Sequence, residues 1–108
     1  MSAGDWRTLP PSLAARAARR FGDVEFLVEL LSSPEPMARV SAARQLGKLR
    51  DRRSIPALMR CLETADEEFA GTTVKKPGMK ADGAELVKTA ARRALKKIGD
   101  PRSGDVCN

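Results

Sequence analysis

Histidine and tyrosine are absent from this 108-residue chain, and Trp6 is the one tryptophan. Without histidine there is no imidazole-dependent triad, no histidine-based zinc site, and none of the commonest general base. Cysteine is scarce too. Cys61 and Cys107 form no Cys-x-x-Cys and no disulfide framework. With so few aromatics the core must be aliphatic and alanine-rich, which suits closely packed helices better than a β-sandwich. No apolar run approaches the ~20 residues that cross a bilayer. Met1 to Pro11 has neither a basic start nor an apolar stretch, so no secretory leader is expected and the cytosol is the default compartment.

What is present is charge and helical periodicity. The formal net charge is +6, which permits an acidic protein, a nucleic acid or an anionic membrane as partner. The length fits one domain spanning 1–108. Pro10, Pro11 and Ser12 open a first helix over Leu13 to Phe21, which Gly22 ends. Asp23 caps a second over Val24 to Ser32, whose Val24, Leu27, Val28 and Leu31 share a face. A third runs from Met37 to Leu49, with Ala38, Ala42, Gln45, Leu46 and Leu49 on one side. Ser54 caps a fourth, with Ile55, Leu58, Met59 and Leu62 inward, ending at Thr64 or Asp66. Residues 67–82 break the period and read as a flexible insertion. A fifth helix spans Ala84 to Ile98 with Val87, Ala90, Ala91, Ala94 and Ile98 as its apolar face. Residues 102–108 read as a frayed tail.

The helices repeat one another. Shifted by 31 positions, the second lands on the fourth, with Val24 on Ile55 and Leu27 on Leu58. Shifted by 49, the third lands on the fifth, with Ala42 on Ala91 and Leu46 on Leu95. Two helix types therefore alternate, A-B-A-B-A. The run from Pro36 through Arg39, Ala42, Leu46-Gly47 and Leu49 to Asp51, followed by Ser54, Pro56 and Leu58, resembles a HEAT-like repeat of the phycobiliprotein-lyase type. In the last repeat Lys88 stands where the third helix has Arg39, and Gly99 to Arg102 matches the family's loop. Ala38 replaces the usual valine, Arg50 the usual glycine, and Leu95-Lys96 the usual Leu-Gly. The resemblance implies an all-α fold, a short α-solenoid of about five helices and roughly two and a half repeats. It also implies a binding scaffold or adaptor rather than an enzyme. The family includes chromophore lyases and base-excision glycosylases, but a glycosylase pocket needs Trp and Asp together, and only Trp6 and scattered acids are on hand.

Three surfaces are candidates for binding. In HEAT-like proteins the B helices line the concave side, and Glu25, Glu29, Arg60 and Glu63 would face outward there, suiting a basic peptide or a partner's helix. Arg19, Arg44 and Arg93 occupy equivalent positions on the A helices, with Lys48 and Lys97 one turn on and Lys88, Arg92 and Lys96 extending the fifth. This ladder is spaced for phosphates or an acidic partner, and the bland alternative is a solvated convex face. Lys75, Lys76 and Lys80 make the insertion basic. The last A helix has no B helix after it, so an exposed apolar edge is expected there, favouring a homodimer or a larger complex. Another protein is the expected partner, nucleic acid the alternative; no membrane, cofactor or metal is expected. Asp66, Glu67 and Glu68 sit together without further metal ligands, Cys61 reads as packing, and Trp6 as a cap on the stack. Asp51 and Asp100 read as helix caps or partners of Arg39 and Lys88.

Overall fold

The computed structural model describes residues 8–76 and 78–99. Trp6, Asp100, Cys107 and the tail 102–108 lie outside the described residues. In chain order come α1 (Pro11–Arg20), α2 (Val24–Leu30), α3 (Pro36–Leu49), a 3-10 turn (Arg52–Ser54), α4 (Ile55–Phe69), β1 (Thr73–Lys76), β2 (Met79–Asp82) and α5 (Gly83–Gly99). The short all-α solenoid is present, with a two-stranded hairpin set into its last repeat.

Local chemistry fixes the ends of the helices. α1, α3 and α4 each carry proline in the first turn, where the missing N–H has no helical partner to lose. Asp23 caps α2 by accepting from the Phe26 N–H at 3.1 Å. The Ser54 side chain makes no cap hydrogen bond to α4. Its hydroxyl donates back to the Asp51 carbonyl at 2.6 Å, and Asp51 caps the 3-10 turn that leads into α4, accepting from the Arg53 N–H at 2.8 Å. α3 ends on Arg50 at φ 54° and ψ 40°, the left-handed conformation that glycine adopts without penalty.

The A helices α1, α3 and α5 form one layer, with α3 in the middle. α2 packs on α1 and α3, and α4 packs mainly on α5. Pro36 meets Gly83 at the starts of α3 and α5, and Gly47 meets Ala94 near their ends, so the two helices run in the same sense. The layer is tight because its contact residues are small. Ala14, Ala15, Ala18, Ala42, Ala43, Ala90, Ala91 and Ala94 are all buried. Leu27, Leu46, Leu58 and Val87 fill the space between A and B helices without measurable exposure above 1%.

Several expectations need correcting. α4 continues one turn further than its acidic residues suggested, because Ala65 and Phe69 prolong the buried face of Leu58 and Cys61. Met59, expected inward, is exposed, since the buried face is rotated toward Cys61. Residues 67–82, expected to lack regular structure, carry helix to Phe69 and then an antiparallel hairpin pairing Thr73 with Asp82, Val74 with Ala81 and Lys75 with Lys80. β-branched Thr73 and Val74 favour strand, and Gly78 at φ +74° supports the tight reversal. The exposed apolar edge on the last A helix is absent among the described residues. Val87, Ala90, Ala91, Ala94 and Ile98 are all buried, because α3 and α4 together cover that face. The homodimer argued from that edge loses its basis.

Candidate binding surface

Two residues inside the repeat show why its basic positions differ in role. Arg39, on the buried side of α3, donates from Nε to the Ser33 carbonyl at 2.7 Å and pairs with Glu68. Its guanidinium lies over the Phe69 ring, 4.7 Å from the centroid. It therefore ties the loop before α3 to the end of α4. Lys88, its counterpart on α5, bridges Asp66 at 2.9 Å and Glu85 at 2.8 Å. Hydrogen bonds that it donates to Glu85 and then Asp66 hold its ammonium above the usual lysine range. Lys88 thus leaves the proposed ladder and becomes a clasp between α4 and α5. Asp51 serves Arg53 rather than Arg39; the Arg53 side chain, bonded at 2.8 and 3.1 Å, holds its carboxyl below the usual range.

The B-helix side offers little room. A shallow groove of about 170 Å³ between α2 and α4 is lined by Val28, Ser32, Ala57, Arg60 and Thr64, together with the paired Arg39 and Glu68. Arg60 belongs to it. Glu25, Glu29 and Glu63 are exposed on the same two helices but are not among its lining residues. The Cys61 thiol lies at the base of this groove, and burial raises its pKa above the usual thiol range, so it packs rather than attacks.

The other side of the molecule is larger and more strongly charged. A groove of about 570 Å³ runs between α3 and α5. Met37, Val40, Leu86, Ala90 and Ala94 give it an apolar floor. Arg44, Lys48, Arg93 and Lys97 ring the half nearest the helix C-termini, and Asp82 and Glu85 stand at the opposite end. Lys48 also lines a second groove, about 440 Å³, with Arg16, Arg19, Arg20 and Phe21 of the α1 end. The structure brings the α3 and α5 cations Arg44, Lys48, Arg93 and Lys97 to one groove, but the α1 position differs from expectation. Arg19 is half-buried and donates to Gln45 Oε1 at 2.6 Å. The exposed cations of α1 are Arg16 and Arg20, which the repeat alignment passed over because they have no aligned basic counterpart. Arg92 and Lys96 are exposed on α5 but line neither groove. Lys75 and Lys80 face each other across the hairpin, exposed, outside both grooves; Lys76 is placed opposite Met79 by the register.

Three neighbouring helices thus carry cations at i and i+4: Arg16 with Arg20, Arg44 with Lys48, and Arg93 with Lys97. The last-turn members Arg20, Lys48 and Lys97 complement the negative ends of helix dipoles. Arg16, Arg44 and Arg93 sit a turn earlier, where that gain has faded and a like-charge neighbour costs a few tenths of a kcal/mol. Among the described residues, Arg44, Lys48 and Arg93 have no carboxylate partner.

A family model described as HEAT repeats matches residues 6–74, more than half of the chain. The chain belongs to the HEAT-repeat family. No curated protein and no solved structure matches it. The match ends inside β1, so α5 joins the HEAT stack on structural grounds, by its parallel packing on α3. HEAT repeats are commonly protein-interaction scaffolds, and no helix among the described residues is long and apolar enough to cross a membrane.

Proposed function

We propose that the chain is a HEAT-repeat binding module that recruits another protein through its A-helix face. The observation that carries this reading is the groove between α3 and α5. It combines an apolar floor with unpaired, exposed Arg44, Lys48 and Arg93. Apolar area supplies affinity and the cations supply selection for an acidic partner. The α2–α4 side, with Glu25, Glu29, Arg60 and Glu63, is the weaker candidate, because its groove is under a third of the size and its Arg39 and Glu68 are already paired with each other. The hairpin lysines Lys75, Lys76 and Lys80 offer charge without a concave surface.

One observation favours a second reading. Arg16 and Arg20 extend the cations beyond the groove and across three helices, a breadth suited to phosphates along a nucleic acid backbone. Affinity capture with the full chain and with its Arg44→Glu/Arg93→Glu variant, each with and without nuclease, tests both. Protein partners that survive nuclease and are lost on charge reversal support the proposal. Partners unaffected by the reversal exclude the A-helix face. Partners lost only with nuclease, together with duplex binding that weakens steeply with salt, transfer the face to nucleic acid.

A further inference from the structure

The α3–α5 groove has a direction. Both flanking helices run the same way, with Met37, Asp82 and Glu85 at their starts and Lys48 and Lys97 at their ends. Asp82, which also caps α5, and Glu85, which also pairs with Lys88, therefore stand at one end of an apolar trough and the cations at the other. From Met37 to Lys48 the trough is roughly 16 Å long at 1.5 Å per residue, about three helical turns. Of its apolar lining, Met37 and Leu86 are half-buried and reachable between the charged ends, whereas Val40, Ala90 and Ala94 are buried beneath them.

Resting on the A-helix face proposed above, we infer that the groove takes a short amphipathic helix of a partner protein. The bound helix runs antiparallel to α3 and α5. Its acidic residues lie in its first turns, against Arg44, Lys48 and Arg93. Its apolar stripe at i, i+3, i+4 and i+7 lies on Met37 and Leu86, with the buried Val40 and Ala90 beneath. Its last turn is basic and approaches Asp82 and Glu85. Three requirements agree on this orientation. Acids stabilise the first turn of a helix and bases the last, by the macrodipole. The same order matches the charge at each end of the trough. Antiparallel alignment also opposes the dipole of the occupant to those of its two neighbours. A polyanion lying along the trough would meet Asp82 and Glu85 and leave the apolar floor unused, so nucleic acid fits this groove poorly.

The test uses the full chain and two synthetic peptides of about 14 residues, enough for the groove with a margin at each end. One has glutamates first, a leucine stripe and lysines last. The other has the same composition with the charge order reversed. Fluorescence anisotropy is expected to show saturable binding of the first peptide and weaker binding of the second by about tenfold. Arg44→Glu/Arg93→Glu and Lys48→Glu, both at exposed positions and checked for an unchanged thermal melt, should each weaken the first peptide by about tenfold or more. Equal binding of the two peptides overturns the orientation. A random-sequence DNA duplex that binds while neither peptide does overturns the helix and hands the surface to nucleic acid. If neither peptide binds but charge reversal still abolishes nuclease-resistant protein capture, the helix is wrong and the A-helix face stands.

Discussion

Two arginines at the ends of α3 have opposite effects on stability. Arg39 is 4% exposed and holds three groups at once: the Ser33 carbonyl, Glu68 and the Phe69 ring. Arg39→Ala should cost about 2–3 kcal/mol, read by urea denaturation. Most of that comes from a carbonyl stripped of its donor and a lost ring contact, with the half-exposed Glu68 discounted for solvent screening. Arg39→Lys should recover less than half, because an ammonium cannot both bond in a fork and stack. Arg50 is the reverse case. It occupies the left-handed region at φ 54°, where a side chain is strained by roughly 1 kcal/mol. Arg50→Gly should therefore raise stability by about 0.5 kcal/mol, after the entropy that glycine adds to the unfolded chain. A destabilised variant would mean that the contacts of Arg50 outweigh its strain.

At the scale of elements, the approach of α3 to α5 depends on Gly47. A β-carbon there would lie 3.1 Å from the Ala94 Cα and 3.3 Å from its Cβ, and the backbone atom cannot move aside. Gly47→Ala gains about 1 kcal/mol of helix propensity but overpacks the contact by about 1–3 kcal/mol. The net expectation is a loss of about 1 kcal/mol, and of more for Gly47→Val, by the same denaturation measurement. In the hairpin, Lys75 opposes Lys80 with both exposed. Lys75→Glu should slow amide exchange in residues 73–82, as a cross-strand ion pair replaces a repulsion worth about 0.2–1 kcal/mol. The helices were legible because proline starts, Asp23 and the i, i+3, i+4, i+7 sets act locally. The hairpin was not, because Lys-Pro-Gly-Met-Lys has the composition of a loop, and only Val74 and Ala81, half-buried, reveal a face. The roles of Arg39 and Lys88 were partly visible as matching repeat positions. Their partners on α4 were not, since Asp66 and Glu68 looked like a solvated helix end.

For the whole molecule, pH should leave a flat optimum with two edges. The folded pKa of Asp51 is depressed, so its contribution is complete above the ordinary carboxylate range and fades as acid reaches the lowered value. Lys88 is raised, so its contribution is complete below the ordinary lysine range and lost as pH climbs through the raised value. Cys61 adds to the alkaline edge, because above the ordinary thiol range the unfolded chain ionises while the buried thiol resists. Thermal melts across pH should show this plateau, and Cys61→Ser should lower the whole plateau, since a hydroxyl replaces a buried thiol, while removing the thiol's share of the alkaline edge. The A-helix face shows how far sequence carries a site. The aligned cations Arg44, Lys48, Arg93 and Lys97 do meet around one groove. Which cations α1 contributes depends on how it rotates against α3, which the register of Arg19 on Gln45 sets and no local pattern encodes.

Gly47 also bears on how many layers this architecture can hold. Its equivalent on α5 is Lys96, a long exposed side chain. A helix added beside α5 would meet that chain where α5 itself found bare backbone on α3. Lengthening the solenoid by design therefore begins with a single exchange, Lys96→Gly, before any new repeat can dock.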